Sequence, residues 1–396
     1  MASAAKLGNH AAMIECPSKR DMKCSCESQA SLVDLFMDKI RVAIVGATGV
    51  IGQQFVVALQ HHPWFEIALL AASERSAGKT YAEALRDEKT KATRWLCDGQ
   101  PEQDVLEMQV ENAAMMDSGK VETVFSAVQA DIARELEPRM AAKTPVISTA
   151  SAFRYFDDVP ILVPGVNSEH ARLIDFQRKR RGWRGFISTQ PNCTTTGLVI
   201  TLKPLMDRFG VRSIVMTSLQ AMSGAGRSPG VIGLDILDNV IPYIVGEEEK
   251  VQTETHKVLG VYDDGRIVNA SLGVSCTCTR VNVLDGHTEA VFASLGKRCT
   301  VEEVKEAFLD FGKDMIESGL PSAPGQMIVV HDDPFRPQPR LDRDNYDGMA
   351  TTVGRIRTDG VLENGIKYVL LSHNTKMGAA KGAVLVAEDL HQMEYL

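Results

Sequence analysis

The stretch from Ile40 to Lys79, IRVAIVGATGVIGQQFVVALQHHPWFEIALLAASERSAGK, limits what this chain can fold into more than any other segment. An apolar run, Val42 to Val45, leads into Gly46-Ala-Thr-Gly49-Val-Ile-Gly52. A helix pattern follows from Gln53 to Gln60, then a second apolar run from Glu66 to Ala71. Strands that are apolar on both faces and separated by a helix read as a βαβ unit of a parallel sheet. The glycines fit one purpose: Gly46 makes the tight turn, Gly49 lets backbone amides approach a pyrophosphate, and Gly52 lets helix and strand pack closely. Here the spacing is G-x-x-G-x-x-G. The segment predicts a dinucleotide-binding domain of the Rossmann type.

The residues after the second strand, Ser73-Glu74-Arg75-Ser76, bear on which dinucleotide. An acid there serves the ribose 2′-hydroxyl of NAD, whereas a cation serves the 2′-phosphate of NADP. Arg75 with two flanking hydroxyls favours NADP, with Glu74 as the competing signal for NAD. VETVFSAV and TPVISTAS continue the sheet, so the polar residues that end them, Ser126, Ser148, Thr149 and Ser151, are candidates for contact, and Arg154 follows shortly after.

A chain of 396 residues suits two domains. The expected organisation is a disordered arm over 1–38, the dinucleotide-binding domain over 39–190, an α+β second domain over 191–373, to which the resemblance described below assigns catalysis and dimerisation, and a C-terminal helix from 374 that packs back on the first domain. The arm holds Glu15, Asp21, Glu27 and Asp34, which argues against a transit peptide and for a cytoplasmic chain, with an organellar address as the alternative. No apolar run reaches the roughly 20 residues that cross a bilayer. A net charge of -8 argues against nucleic acid, and the basic run Arg178-Lys179-Arg180-Arg181 reads as a solvated loop. The eight cysteines are scattered, without a secretory signal, which fits reduced thiols. Cys24-Ser-Cys26 and Cys276-Thr-Cys278 lack the second pair that a tetrahedral zinc site needs, so no metal is expected.

One thiol stands apart. In QPNCTTTG, Cys193 precedes LVITLKPLMDRFG, whose Leu198, Leu202, Leu205 and Phe209 form a helical stripe. Cys193 therefore belongs at the entrance of a helix, where free amides and the dipole lower a thiol's pKa and can receive an oxyanion. A thiolate that attacks an aldehyde gives a thiohemiacetal, which passes hydride to a nicotinamide and becomes a thioester. Such chemistry needs a base. His287 lies in SCTCTRVNVLDGHTEAVFASL, which reads as two strands joined by an Asp285-Gly286 hairpin. A two-residue turn would pair His287 with Leu284 and put it on one face with Arg280, about 13 Å away along the strand.

Taken in order, GATGVIGQQ, LAASERSAGK, QPNCTTTG, SLQAMSGAG, EEEKVQTETHK, TRVNVLDGHTEAVF, PQPRLDRD and SHNTKMGAAKGAVLVAE resemble aspartate-β-semialdehyde dehydrogenases of the archaeal and fungal type, from about Ile40 to the C-terminus. The resemblance implies Cys193 as nucleophile, His287 as acid/base, and Gln220 as a group that orients substrate. It implies Arg280 on the substrate α-carboxylate, Glu247 on its amino group with Glu248 as the alternative register, and Lys250 and Arg154 on phosphate. For NADP it implies Thr48, Gly49, Val50 and Ile51 at the pyrophosphate, Ser73, Arg75 and Ser76 at the 2′-phosphate, Ser223 and Gly224 in a second loop, and Asn374 at the nicotinamide end. Lys381 departs from the family pattern, which has a glycine there. The implied reaction is reductive dephosphorylation of L-4-aspartyl phosphate to L-aspartate 4-semialdehyde, by a homodimer or homotetramer. Rival readings are a related reductase, acting on malonyl-coenzyme A or N-acetylglutamyl phosphate, and a non-enzymatic dinucleotide sensor.

Overall fold

The computed structural model describes residues 39–225 and 232–396. The expected arm, with Cys24 and Cys26, lies outside the described residues. Six strands form a wholly parallel sheet: β1 (Ile40–Val45), β2 (Phe65–Ala72), β3 (Val110–Asn112), β4 (Thr123–Ser126), β5 (Val146–Ser148) and β6 (Ile187–Thr189). Their order is β3-β2-β1-β4-β5-β6, so the chain steps outward on one side of β1 and then on the other. The carboxyl ends of β1 and β4 mark the point of reversal, where folds of this type open a crevice. Val42 to Val45 are fully buried because both faces are covered. Val42 and Ile44 pack with Phe55 and Leu59 of the Val50–Leu59 helix and with Val384 and Leu390 of the C-terminal helix, Ala380–Gln392. Ala43 and Val45 meet Ala133 and Met140 of the Ala130–Ala141 helix.

The second sheet is mixed. β7 (Val211–Gln220) is followed by a separate two-stranded ribbon, β8 (Val261–Asp263) and β9 (Arg266–Val268), and then by β10 (Gly273–Arg280), β11 (His287–Leu295), β12 (Ile328–Val330), β13 (Thr351–Asp359) and β14 (Gly365–Ser372). The order is β10-β7-β11-β14-β13-β12. Along β7, buried Ile214, Met216, Ser218 and Gln220 alternate with exposed Val215, Thr217 and Leu219. That alternation is the mark of a sheet covered on one face. The Cys193–Phe209, Glu247–Val258 and Val301–Asp310 helices supply the cover, through Leu198, Leu202, Val251, Val258 and Phe308. Among the described residues no helix is long and apolar enough to cross a membrane.

Three expectations are corrected. β10 and β11 do not form a hairpin, because β7 lies between them, parallel to β10 and antiparallel to β11. The Asp285-Gly286 signal is local, but the preceding residues are bonded elsewhere: Met222 and Ser223 donate to the carbonyls of Val283 and Leu284, so Leu284 does not pair with His287. The run Arg178 to Arg181 is no loop. It closes the Leu173–Arg181 helix ahead of left-handed Gly182, where cations suit the helix dipole. Two of its arginines are held, Arg178 against Phe186 and Tyr395, and Arg181 against Trp183 with a two-pronged bond to Asp158. Finally, the helix that begins at Cys193 is not buried along a single stripe; Thr194 to Leu202 are buried on all sides.

Candidate active site

Cys193 is the first residue of its helix, and Asn192 is the cap. The Asn192 Oδ1 accepts from the backbone N–H groups of Thr194 (2.9 Å) and Thr195 (3.3 Å). Its Nδ2 donates to Glu247 Oε1 at 2.8 Å. One side chain thus satisfies the helix entrance and fixes a carboxylate beside the thiol. The Cys193 Sγ is 3.2 Å from His287 Nε2.

The end of β7 draws the remaining groups together. Arg280 sits opposite Gln220 in the β10–β7 register, and Thr288, next to His287, sits opposite Leu219. Ala221 then serves both flanks: its N–H donates to His287 Nδ1 (3.1 Å), and its carbonyl accepts from Arg280 Nη1 (2.7 Å). Because Nδ1 accepts, the neutral ring carries its proton on Nε2, aimed at the sulfur. A Cβ at Gly224 would lie 3.0 Å from Arg280 Nη1 and 3.1 Å from His287 Cε1. A methyl there would press on both side chains, so the loop sits tightly over the pair. Arg280 and His287 are therefore neighbours across β7, rather than about 13 Å apart along one hairpin.

A cleft of about 470 Å3 is lined by Arg154, Cys193, Glu247, Lys250 and Arg280, with Ser151 at its edge. Arg280 is buried and makes no ion pair among the described residues. Glu247 faces the cleft with Lys250 Nζ 3.4 Å away, whereas Glu248 turns aside and accepts from the Cys278 N–H. Gln220 is buried with its Nε2 donating to Ser218 Oγ at 3.2 Å; it lies under the cleft rather than in its wall. Burial and the Glu247 carboxylate push the Cys193 thiol up to about 12, against the opposing pull of Arg154, Arg280 and the Thr194 N–H. Burial, helped by Arg280 and His373, pulls His287 down to about 3. The expectation of a lowered thiol pKa is corrected for the resting site: the helix entrance is there, but enclosure outweighs it. Thiol and imidazole rest as a neutral pair.

The glycine loop is built for close contact. Gly46 has φ +86°, and a Cβ there would lie 2.6 Å from the Ala127 carbonyl; a Cβ at Gly52 would lie 2.2 Å from the Gly46 carbonyl. Gly49 caps the Val50–Leu59 helix without a side chain, which leaves the first-turn amides open. A second cleft, about 530 Å3, holds Thr48, Gly49, Ser73, Arg75 and Ser76 together with Lys79 and Arg86. Glu74 does not line it. That basic wall fits a 2′-phosphate better than a bare ribose hydroxyl. A third cleft runs from Val50 to Ser223, so neighbouring residues link all three: Gly49 to Val50, and Ser223 to Gly224. Asn374 pins the last junction, accepting from the Gly286 N–H (2.9 Å) and donating to Ser223 Oγ (2.7 Å). Three candidates stand apart. Ile51 packs largely toward the core, and Ser126 and Ser148 are wholly buried at the ends of β4 and β5, lining none of these clefts, with Ser148 donating to Glu137 instead. Lys381, in place of the usual glycine, reaches Asp347 Oδ2 at 2.6 Å on the wall of the third cleft.

Several site neighbours escape a linear reading. Gly378 brings its backbone against the thiol, since a Cβ there would lie 2.9 Å from that of Cys193. Glu254, fully buried, accepts from the Asn192 N–H (2.6 Å) and from Arg154 Nη1 (3.0 Å). A signal for Glu254 was present, because it stands seven residues after Glu247 on one helical stripe.

Known proteins resemble this chain along most of its length. The model of the semialdehyde dehydrogenase NAD binding domain matches residues 41–174, and that of the semialdehyde dehydrogenase dimerisation domain matches 202–377. The aspartate-semialdehyde dehydrogenase of Methanothermobacter thermautotrophicus is 46% identical over 354 residues, covering 89% of this chain and 99% of its own. That of Candida albicans is 43% identical over 366 residues, covering 88% of this chain and 97% of its own. A crystal structure of the Candida albicans enzyme with NADP superposes with a TM-score of 0.80 at 38% identity, over 91% of this chain and all of that one. The Vibrio cholerae aspartate semialdehyde dehydrogenase II, complexed with ASA, gives 0.71 at 27% identity, over 90% and 99%. With both family models placed in order and relatives matched along nearly their whole length, the chain belongs to the aspartate-semialdehyde dehydrogenase family.

Proposed function

We propose that this chain reduces L-4-aspartyl phosphate to L-aspartate 4-semialdehyde and phosphate with NADPH, the acyl group being carried on Cys193. The observation that carries the reading is the 3.2 Å contact of Cys193 Sγ with His287 Nε2, in a cleft where buried Arg280 has no acidic partner among the described residues. The Vibrio cholerae relative complexed with ASA and the Candida albicans relative with NADP support the same substrate and cofactor here.

Each side chain has a task that its surroundings suit. Arg280, without an ion pair among the described residues and oriented by the Ala221 carbonyl, offers its guanidinium to the α-carboxylate of the substrate. Glu247 takes the amino group, while Lys250 and Arg154 face the phosphoryl end. Cys193 Sγ attacks the acyl carbon as the C–O bond to phosphate breaks, which forms the thioester, and the thiol proton leaves on the departing phosphate. The oxyanion develops at the helix entrance beside the N–H of Cys193, since Asn192 already holds those of Thr194 and Thr195. Thr48, Gly49 and Val50, with Arg75 and Ser223, would hold NADPH, which supplies the hydride that reduces the thioester. When the C–S bond then breaks, the Nε2–H of His287 supports the charge on sulfur, and the aldehyde departs. Gln220 is assigned a supporting part, steadying the layer beneath through Ser218.

The dimerisation-domain match supports a homo-oligomer, and the uncovered face of the second sheet, with exposed Val215, Leu219 and Phe292, offers an apolar surface for it. We assign a homodimer or homotetramer in the cytoplasm. The test is a phosphate- or arsenate-dependent NADP+ reduction assay with aspartate semialdehyde, run beside malonate semialdehyde with coenzyme A, on the wild type and on Cys193→Ala. Activity that persists without the thiol, or that requires coenzyme A, would overturn the proposal.

A further inference from the structure

Glu254 has no part in the scheme above, yet it is the fully buried carboxylate nearest to the chain segment that delivers the nucleophile. Its oxygens are divided. Oε1 accepts from Arg154 Nη1 at 3.0 Å and from the Tyr155 hydroxyl at 3.2 Å, whereas Oε2 accepts from the Asn192 N–H at 2.6 Å. Arg154 is engaged on the other side of the same segment: its Nε donates to the Gln190 carbonyl at 2.8 Å, and its Nη2 to the Thr149 carbonyl at 2.8 Å. The ion pair therefore grips Gln190-Pro191-Asn192 at both ends, with Pro191 between them unable to donate. Cys193 is the next residue.

The helix that carries Glu254 explains the arrangement. Glu247, Lys250, Glu254 and Lys257 recur at three- and four-residue steps along one side. Glu247 and Lys250 face the cleft. One turn below Glu254, the Lys257 ammonium donates to the carbonyls of Arg154, Phe156 and Val159, at 2.8, 2.7 and 2.9 Å, and so ties down the segment that carries Arg154. Only three of the five N–H groups of Arg154 are used, leaving two for an anion in the cleft. An anion drawn to Arg154 would pull on the same guanidinium that Glu254 and Gln190 hold.

We propose that Glu254 is a positioning residue that couples the phosphate-binding cation, Arg154, to the turn that presents Cys193. The proposal rests on the assignment of Arg154 to the phosphoryl end. It makes the sulfur's placement sensitive to occupation of the phosphate subsite, so that the thiol is best aligned when an acyl phosphate is in place. A purely structural ion pair would lower stability when broken and leave the properties of the folded fraction alone.

The experiment uses the full chain as wild type, Glu254→Gln and Glu254→Asp. Three quantities are measured: kcat and the KM for inorganic phosphate in the oxidative assay, the rate of Cys193 alkylation by iodoacetamide with and without phosphate, and the unfolding temperature, with all rates normalised to titrated thiol. Glu254→Gln keeps an oxygen for Asn192 but loses the charge that holds Arg154, so the KM for phosphate should rise about tenfold or more, the loss expected when a charge-assisted hydrogen bond goes. Glu254→Asp keeps the charge but is too short to span both partners, so kcat should fall while the fold is retained. In the wild type, saturating phosphate should change the alkylation rate at least about twofold, a shift of a few tenths of a kcal/mol in the barrier, and the effect should vanish in both variants. Wild-type kinetic constants per folded thiol in either variant would overturn the coupling, as would a wild-type alkylation rate indifferent to phosphate in an enzyme that turns over. A wild type that shows no phosphate-dependent turnover would instead sink the functional assignment, so the two failures are distinct.

Discussion

At the scale of single residues, the site is a set of charges whose partners are chosen so that some stay uncommitted. Arg280 and Arg75 are the informative pair. Arg280 is buried and orients on a carbonyl, and Arg75 is exposed on the wall that also carries Ser73 and Ser76. If Arg75 meets a 2′-phosphate, Arg75→Ala should raise the KM for NADP+ by about 10- to 100-fold, the worth of a charge-assisted contact, with little change for NAD+. Steady-state kinetics with both cofactors decide it, and equal losses for the two would exclude a 2′-phosphate contact. His287 is tested differently. Proton handling is commonly worth about 10² to 10⁴ in rate, so His287→Ala should lower kcat by that order while Cys193 remains open to alkylation. A variant within threefold of wild type would mean that Nε2 merely packs against the sulfur. Much of this set could be read from sequence, since Cys193 beside a capping Asn192 and Arg75 between hydroxyls are short-range patterns. Ala221 and Gly378 could not, because each acts through partners 59 or more residues away along the chain, and Glu254 showed only its place on the Glu247 stripe, its hold on Asn192 lying 62 residues back. The thiol's resting pKa also escaped a local reading, for burial is a property of the whole neighbourhood.

At the scale of elements, what was legible follows from range. The strand-glycine-helix-strand unit is contiguous, and the structure moves only its edges: the helix starts at Val50 rather than Gln53, because Gly49 can cap it without a side chain. The second sheet was misread where pairing is non-local. β10 and β11 are consecutive and alternate, yet β7, more than fifty residues earlier, enters between them. Turn chemistry at Asp285-Gly286 signals a reversal; it does not say which strand the chain returns to. The structure therefore gives the glycine loop a sharper test than sequence does. Gly52→Ala places a methyl 2.2 Å from the Gly46 carbonyl, so the helix must lift from β1 and its first-turn amides must leave the crevice. NADPH binding, followed by fluorescence titration, should weaken by at least about tenfold, since a displacement near 1 Å can cost on the order of 10². The second sheet is untouched by that change, so iodoacetamide should still modify Cys193 at its normal rate. Intact cofactor affinity would show that the loop tolerates a Cβ and that the close approach is not needed.

At the scale of the whole molecule, buried titratable groups of opposite kind balance one another. Burial lowers His170, and it lowers His287 and His373 to about 3 and about 4, so the latter two stay neutral in the folded chain. Burial also raises Glu137 to about 7, Glu289 well above its ordinary value, and Asp389 to a lesser degree, so these carboxyls hold protons that an unfolded chain would release. Stability rises with pH wherever the unfolded state binds more protons. Between pH 4.5 and 6.5, the ordinary values of Glu and His, unfolding takes up protons at the three histidines and gives up protons at Glu137 and Glu289, with Asp389 adding a fraction to the second group. The two slopes have opposite sign and nearly cancel. Carboxylates lowered by ion pairs, such as Asp158 with Arg181, act below this window. Stability should therefore be almost level across it, and removing one group should uncover the other set. Glu289→Gln removes a proton from the folded side alone, so its stability should rise with pH by about 1.4 kcal/mol per unit more than wild type. His373→Asn removes one from the unfolded side alone, so its stability should fall with pH relative to wild type by a similar slope. Urea unfolding of the three proteins at several pH values across the window measures both. If the three curves run parallel, the buried groups titrate as they do in the unfolded chain, and the balance does not exist.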